Sequence, residues 1–474
     1  MKLAKKSILY KAFQNILALL AVLLFSGASS IQDLNFYALF IVSTLFLVVV
    51  GASLLWQYIV WKNYFYFIDE EGVKIKHGVT RKNQREIPLR RIQNVDITRN
   101  IVHRLLGIAQ LNLETAGGGS TEASLRFVEL DQAREIQRKV RKLKTGEKTG
   151  SEADEEGREL VFELQEKELG LLAATSIQGK AIAGLFAVLA FGGGVIGQGI
   201  EEIGLEAVAA LSLIVFLGAL FTWAGSAVTQ LFRYFGFKLY RNGDSLEYER
   251  GLLNRSEGSI PLEKVQKLTV EENPLKRLIG YSTLKIETAG YSQEQSMQKG
   301  PEAAIPLARR ERVIEFAQEL EEFQGLNIEG IPARARRRYI GRYAIASTVL
   351  LGSGIIANRF TAFNYLPLLG LYPLSVIAAY YKWIHTGYGS GEKHFFTMKG
   401  FWNRKTMIVP YYRVQTLIRS QTVLQRRWNL SSLTLDIAGT STFQKDAVAS
   451  DIDSRKASKL QTEVFNDFKN SLQD

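Results

Sequence analysis

Residues 251 to 290 read GLLNRSEGSIPLEKVQKLTVEENPLKRLIGYSTLKIETAG, and the same forty-residue block occurs twice more without a gap, at Gly78–Gly117 and Gly400–Gly439. Laid block on block, a Pro falls at Pro88, Pro261 and Pro410, and a Gln at Gln93, Gln266 and Gln415. An Arg falls at Arg104, Arg277 and Arg426, and each block closes on Ala-Gly. Such self-similarity marks one structural unit used repeatedly. The copies lie too far apart for a solenoid. They are separate small domains in a chain of 474 residues, a length that suits three or four.

Around the Pro each block reads [IV]-P-x-x-[RK]-[IV]-Q-x-[VL], with apolar and polar positions alternating after it, a strand signal. Val73–Lys76 and Leu246–Glu249 alternate upstream; Leu111–Thr115 and Leu284–Thr288 alternate downstream and end at a Gly turn. A helical stretch follows each block, at Ala133–Lys144, Arg310–Phe323 and Arg455–Phe468; in the second, Val313, Phe316, Ala317 and Leu320 share a face. The Pro set should mark a strand start. The Gln set should be buried and hydrogen-bonded.

Outside the blocks, apolar runs come in pairs: Ile16–Ser30 with Phe36–Val60, Ile177–Ile200 with Ala207–Leu231, and Tyr343–Ala357 with Phe363–Ile384. Most are long enough to cross about 30 Å of hydrocarbon as helices, and they lack internal charge. Very short links, Ile31–Asn35, Glu201–Glu206 and Asn358–Ala362, join each pair into a hairpin. The second run follows the first too closely, and with no cleavage site between, for the first to be a signal peptide. The links carry one basic residue, Arg359, whereas the N-terminal lysines, Arg138–Lys144, Arg233, Arg334–Arg338 and Lys382 flank the other ends. The positive-inside rule then puts both termini and all three modules on the cytoplasmic side of the membrane. Aromatic residues gather at span ends, as at Trp56, Tyr58, Trp61 and Tyr64.

The expected fold is therefore a multi-pass α-helical membrane protein: six transmembrane helices in three hairpins, each hairpin followed by a module of antiparallel strands and one helix. By residue number the hairpins cover 12–61, 171–231 and 340–384, and the modules 62–145, 232–330 and 385–474. Residues 146–170 form an acidic linker, with nine acidic and three basic residues over 146–168.

The block G-x9-P-x2-[RK]-[IV]-Q, its later Arg and its closing Ala-Gly resemble the bacterial pleckstrin-homology (PH) domains of the YdbS/YdbT-like membrane proteins. Three such domains, each preceded by a helical hairpin, match the YdbT-like layout over nearly the whole chain. The resemblance implies PH-like domains, each a curved seven-stranded antiparallel sheet capped by the C-terminal helix. It also implies a role in the envelope response, such as resistance to membrane-active peptides, with a YdbS-like membrane protein as partner. The third copy departs from the pattern: Asn429 stands where Gly107 and Gly280 stand, and Asp436-Ile437 replaces Glu-Thr. Its last strand, near Thr442–Val448, is weakly patterned, so a looser fold is expected there.

The basic total of +12 is uneven: residues 62–145 hold +7, residues 382–474 hold +6, and residues 232–339 only +2. Basic patches beside an anionic leaflet are attracted to it by about 1 kcal/mol per Lys or Arg. Three basic positions recur: Lys82, Arg255 and Arg404; Arg91, Lys264 and Arg413; Arg104, Arg277 and Arg426. They are candidate contacts for anionic lipid head groups. The competing structural reading, strongest for the Arg104 set, is pairing with Glu114, Glu287 and Asp436, or capping of a turn. Arg334, Arg336, Arg337 and Arg338 form a basic run against a span, a place for phospholipid rather than nucleic acid.

With no cysteine and four scattered His, disulfides, Cys-ligated metals and Cys nucleophiles are excluded, and no metal or cofactor is expected. No Walker loop, HExxH or GxSxG occurs, so no catalytic residue is assigned and the protein is expected not to be an enzyme. Gly117–Ser120 reads as a turn, and Gly193 with Gly197 as close helix packing. Ser43, Thr44, Ser212 and Ser375 are mild mid-span polar groups, poor material for a pump. A homo-oligomer could still enclose a pore, so an exporter is the alternative to a lipid- or protein-binding scaffold.

Overall fold

A computed structural model describes residues 2–27, 36–69, 71–115, 123–145, 158–176, 213–214, 216–288, 302–361, 365–437 and 447–471. Outside them lie the closing Ala-Gly pairs, the loop 117–120, residues 146–157 of the linker, the span 177–200 with its glycines, and the links 31–35 and 201–206. The chain divides into two compact units, residues 1–159 with 241–259 and residues 160–240 with 260–474.

Unit one begins with α1 (Lys6–Gly27) and α2 (Phe36–Lys62). They are joined by a bond from Asn15 Nδ2 to Ser53 Oγ of 3.3 Å. Module one follows as two antiparallel groups of three strands, the second of them part of a larger sheet. The first is β1 (Phe65–Ile68), β2 (Gly72–His77) and β3 (Asn83–Pro88); the second is β4 (Ile92–Asn100), β5 (Ile108–Thr115) and β6 (Ala123–Glu129). α3 (Ile101–Leu106) interrupts the second sheet and α4 (Leu130–Thr145) closes the module. Val73, Ile75, Ile97, Leu111, Leu113 and Ile136 form its core.

β4 has a second neighbour. It pairs antiparallel with β10 (Asn254–Pro261) of module two, Arg99 opposite Arg255 and Ile97 opposite Glu257. Unit two repeats the arrangement with module three. β11 (Val265–Glu272) pairs with β17 (Arg404–Pro410), Glu272 opposite Arg404 and Val270 opposite Thr406. The seven-stranded sheet expected inside each module is thus replaced by a shared one. In unit two its order is β13 (Glu302–Arg309), β12 (Tyr281–Thr288), β11, β17, β16 (His394–Lys399), β15 (Gly387–Ser390) and β14 (Glu329–Gly330). Module three keeps a three-stranded sheet of its own: β18 (Val414–Ser420), β19 (Leu430–Ile437) and β20 (Ala447–Asp453). β20 begins inside the weakly patterned Thr442–Val448, runs on to Asp453, and pairs antiparallel with β19 with one register shift.

Several boundaries differ from the sequence reading. Each block Pro ends a strand rather than starting one. Pro88, Pro261 and Pro410 head a 3-10 turn, and β4, β11 and β18 begin after it. Proline has no N–H for the ladder, and its fixed φ suits the turn. The acidic linker is structured from residue 159, with β7 (Glu159–Glu163) and then α5 (Glu166–Ala174), which opens on a capping box at Gln165 and Glu168. Residues 216–234 form α6. α7 (Pro274–Leu278) and α8 (Arg310–Leu320) belong to module two, whose first strands are β8 (Lys238–Asn242) and β9 (Ser245–Arg250).

In the third hairpin α9 (Ala335–Thr361) runs through most of the expected link. The return is a 3-10 turn, Leu366–Gly370, leading into α10 (Leu371–Ile384). Pro367 and Pro373 stand at the starts of these segments, where a missing N–H breaks no helical bond. Ser347 and Ser375 hydroxyls meet at 2.7 Å between α9 and α10. Module three ends with α11 (Val423–Arg427) and α12 (Ser454–Ser471), and its core takes in Ala335, Tyr339 and Ala379 of the hairpin. Among the described residues two helices are long and apolar enough to cross a membrane, over Thr44–Lys62 and Ala335–Phe360.

Candidate functional site

Each module carries one short helix between its fourth and fifth strands, and this is where the repeated Arg104, Arg277 and Arg426 sit. Asn100 and Asn273 cap α3 and α7, their Oδ1 atoms accepting from His103 N at 2.7 Å and Lys276 N at 2.8 Å. Thr422 does the same for α11 in a capping box with Gln425. Each helix is followed by a left-handed residue: Gly107 at φ 67°, Gly280 at φ 73° and Asn429 at φ 53°. Asn is the residue that best replaces Gly at such a helix end. The departure at Asn429 therefore preserves the turn, and the third module is not looser there.

These helices face the ends of the hairpins. In module one Lys6 Nζ, at the head of α1, donates to Leu106 O at 2.8 Å, and Asn100 Nδ2 donates to Tyr10 Oη at 2.9 Å. In module three Arg334, just ahead of α9, donates to Asn429 O at 3.2 Å and pairs with Asp453. Both basic side chains thus satisfy a carbonyl at the C-terminal end of a short helix, where the helix dipole favours a cation. Arg338 of α9 pairs with Asp451, which also accepts from Gln425 Nε2 at 2.8 Å. In module two Asn273 Nδ2 donates to Thr175 O at the end of α5, and Arg277 meets His385 Nε2, just past α10, at 2.9 Å.

Two non-glycine residues adopt the left-handed conformation in the last strands, Phe127 at φ 67° and Asp451 at φ 60°. Each sits where the ladder register shifts, a bulge that re-aims one side chain. Phe127 packs on Tyr10 at 5.2 Å, and Asp451 takes Arg338. The strain is spent at the module–hairpin contact in both cases.

The outer faces of the short helices are apolar and open. Leu105 is 81% exposed, Leu278 83% and Val423 74%. Single exposed apolar residues are ordinary; one on the short helix of every module, with an Arg on the same helix and a hairpin end against it, forms a pattern. Module three carries Arg427 at the block position of Leu105 and Leu278 and exposes Val423 instead. Sequence reading assigned the Arg set to lipid contacts or to acidic partners and missed the helix. The N-cap residues Asn100, Asn273 and Thr422 were the available signal.

The other candidates divide. Arg255 pairs with Glu249 at 2.8 Å and Glu257 at 3.4 Å, and Arg404 directs two N–H groups to Glu272, at 2.7 and 2.8 Å. These two are structural residues of the shared sheets; Lys82, at the same block position, is exposed. Burial raises the Glu249 carboxyl, but Arg158 and Arg255 outweigh it and hold it below the usual range. In the second set, Arg91 is exposed, Lys264 half-buried, and Arg413 lies over the Tyr412 ring at 4.6 Å and donates to Glu263 O. In the third, Arg104 donates to Leu252 O at 3.0 Å, and Arg426 is exposed.

The expected Arg277–Glu287 pair is not formed, because Glu287 holds the fully buried Lys267 at 2.8 Å. Gln266 is buried as expected, whereas Gln415 is exposed; the side chain of Gln93 lies outside the described residues. Of the basic run, Arg334 and Arg338 tie α9 to module three, Arg336 stacks over Trp383 at 5.6 Å, and Arg337 is exposed. Among the described residues no group of His, Asp or Glu could hold a metal ion.

Comparison with known proteins agrees with this architecture. The UPF0699 transmembrane protein YdbT of Bacillus subtilis strain 168 is 25% identical over 445 residues, covering 88% of this chain and 87% of its own. No solved structure matches. The profile of the Bacterial PH domain matches three times, over residues 16–144, 184–324 and 342–467, and each match takes in hairpin sequence as well as its module. The chain belongs to the bacterial PH domain family and carries that domain three times.

Proposed function

We propose that this protein is a non-enzymatic scaffold of the bacterial inner membrane, crossing it six times as three hairpins, with both termini and all three PH-like modules in the cytoplasm. Each module rests on the inner leaflet through its short helix, apolar side chain inserted and Arg at the phosphate level. The observation that carries this reading is the triple recurrence of an exposed apolar residue and an Arg on a helix bonded to a hairpin end. Leu105 with Arg104, Leu278 with Arg277 and Val423 with Arg426 make the set. An amphipathic surface held at a span end combines apolar burial with attraction to anionic lipid.

Ser347 and Ser375 spend their hydroxyls on each other, which favours packing over a transport path in that hairpin. A role in the envelope response, beside a YdbS-like membrane protein, is what the family layout suggests for such a scaffold. The full-length protein tests the lipid reading. In nanodiscs of mixed zwitterionic and anionic lipid it should enrich the anionic lipid around itself. R104E, R277E and R426E together should abolish that enrichment without loss of the folded protein. Equal anionic lipid in the triple variant would refute the reading.

A further inference from the structure

Module one meets module two, and module two meets module three, by one repeated operation: the fourth strand of one module pairs with the third strand of the next. By block position the registers coincide. Arg99 opposite Arg255 corresponds to Glu272 opposite Arg404, and Ile97 opposite Glu257 corresponds to Val270 opposite Thr406. A chain of three modules uses this joint twice and leaves one half of it over at each end. Among the described residues, the third strand of module one, β3, has only β2 as strand neighbour, and the fourth strand of module three, β18, has only β19.

Exposure follows the joint. β3 is open along Asn83–Glu86, whereas the matching strand β17 is buried along Thr406–Pro410. On the other side, Asp96 and Thr269 are 2% and 3% exposed within filled joints, and Ile418 at the same block position is 48% exposed. Unpaired edges of this kind are templates for another strand, and neither β3 nor β18 contains an internal Pro to blunt it. The register shift of β18 at Gln415 has its counterpart at the same block position in β4 and β11, which are joined all the same.

From this we infer that β18 of one molecule pairs with β3 of a second copy of this chain, head to tail, in the register of the two internal joints. Gln421 then lies opposite Lys82 and Arg419 opposite Gln84. The second copy is the occupant because each chain carries both halves of the missing joint, and each half is the block counterpart of a strand already joined in this way. The contact is heterologous, so it builds a ring or an open row rather than a two-fold dimer. It is independent of the lipid reading, since the sheet edges and the short helices are different surfaces.

Because the chain has no cysteine, the register can be tested in the full-length protein. Gln84→Cys and Arg419→Cys, on separately tagged chains made in the same cells, are oxidised in the membrane. Directly opposed strand residues lie within disulfide reach. The expected product carries both tags at twice the monomer mass, and each variant made alone gives none. Ile97→Cys with Glu257→Cys in one chain, the matching positions of a filled joint, should close internally and shows that oxidation works. Absence of the mixed product while that control closes would overturn the inference. So would self-linking of either variant alone, or a native mass of one copy for the unmodified protein.

Discussion

Asn429 holds a conformation that β-branched residues avoid, and that single position illustrates how much the module depends on one backbone angle. Asn429→Gly should leave stability unchanged or raise it by up to about 1 kcal/mol. Asn429→Val should lower it by about 1–2 kcal/mol, measured by the heat-unfolding midpoint in detergent. Lys276, two positions before the left-handed turn's helix ends in module two, gives a pH test. Burial drives its ammonium down to about 8, Lys285 adding to the effect and Glu271 opposing it. Between about 8 and the ordinary value near 10.5 the unfolded chain holds this proton and the folded chain does not. Its contribution to stability should therefore rise with pH across that window and sit at its lowest below 8. Lys276→Gln, the residue that module three carries at this position, should remove that rise and gain at most about 3 kcal/mol at neutral pH. Failure of the two pH curves to converge towards pH 10.5 would contradict the assignment. None of this was legible in the sequence, because a single Lys or Asn shows neither its burial nor its φ.

At the scale of elements, the strands β2, β5, β9 and β12 and the three closing helices were legible from alternation and from helical spacing. Alternation follows from one buried face, whichever chain segment supplies the other side. What the pattern could not reveal is the neighbour across the edge. Gln266 and Gln415 share a block position, yet one is buried in a filled joint and the other lies open on β18. The joint also explains why Arg255 and Arg404 are not available to a ligand. Glu272, 2% exposed and held by Arg404 and Arg310, should be costly to remove. Glu272→Ala leaves two cations without their carboxylate and should cost about 3 kcal/mol. The exposed Glu263→Ala should stay within about 0.5 kcal/mol. Equal costs for the two, by denaturant titration of the detergent-solubilised protein, would mean that the joint contributes little.

For the whole molecule, the repeat and the charge asymmetry were read directly from the chain, and the threefold family match follows the same division. The proposed topology makes its own prediction: single cysteines placed in the links 31–35 and 201–206 should react with a membrane-impermeant thiol reagent on intact cells. A cysteine at Lys459, on the exposed face of α12, should react only after lysis. The central claim is that the three short helices touch the leaflet, and lipid-borne quenching tests it most directly. An environment-sensitive fluorophore attached through Leu105→Cys, Leu278→Cys or Val423→Cys in reconstituted vesicles should be strongly quenched by spin-labelled lipid, and one attached through Lys459→Cys should not. Quenching at all three short helices no greater than at Lys459→Cys would contradict the account.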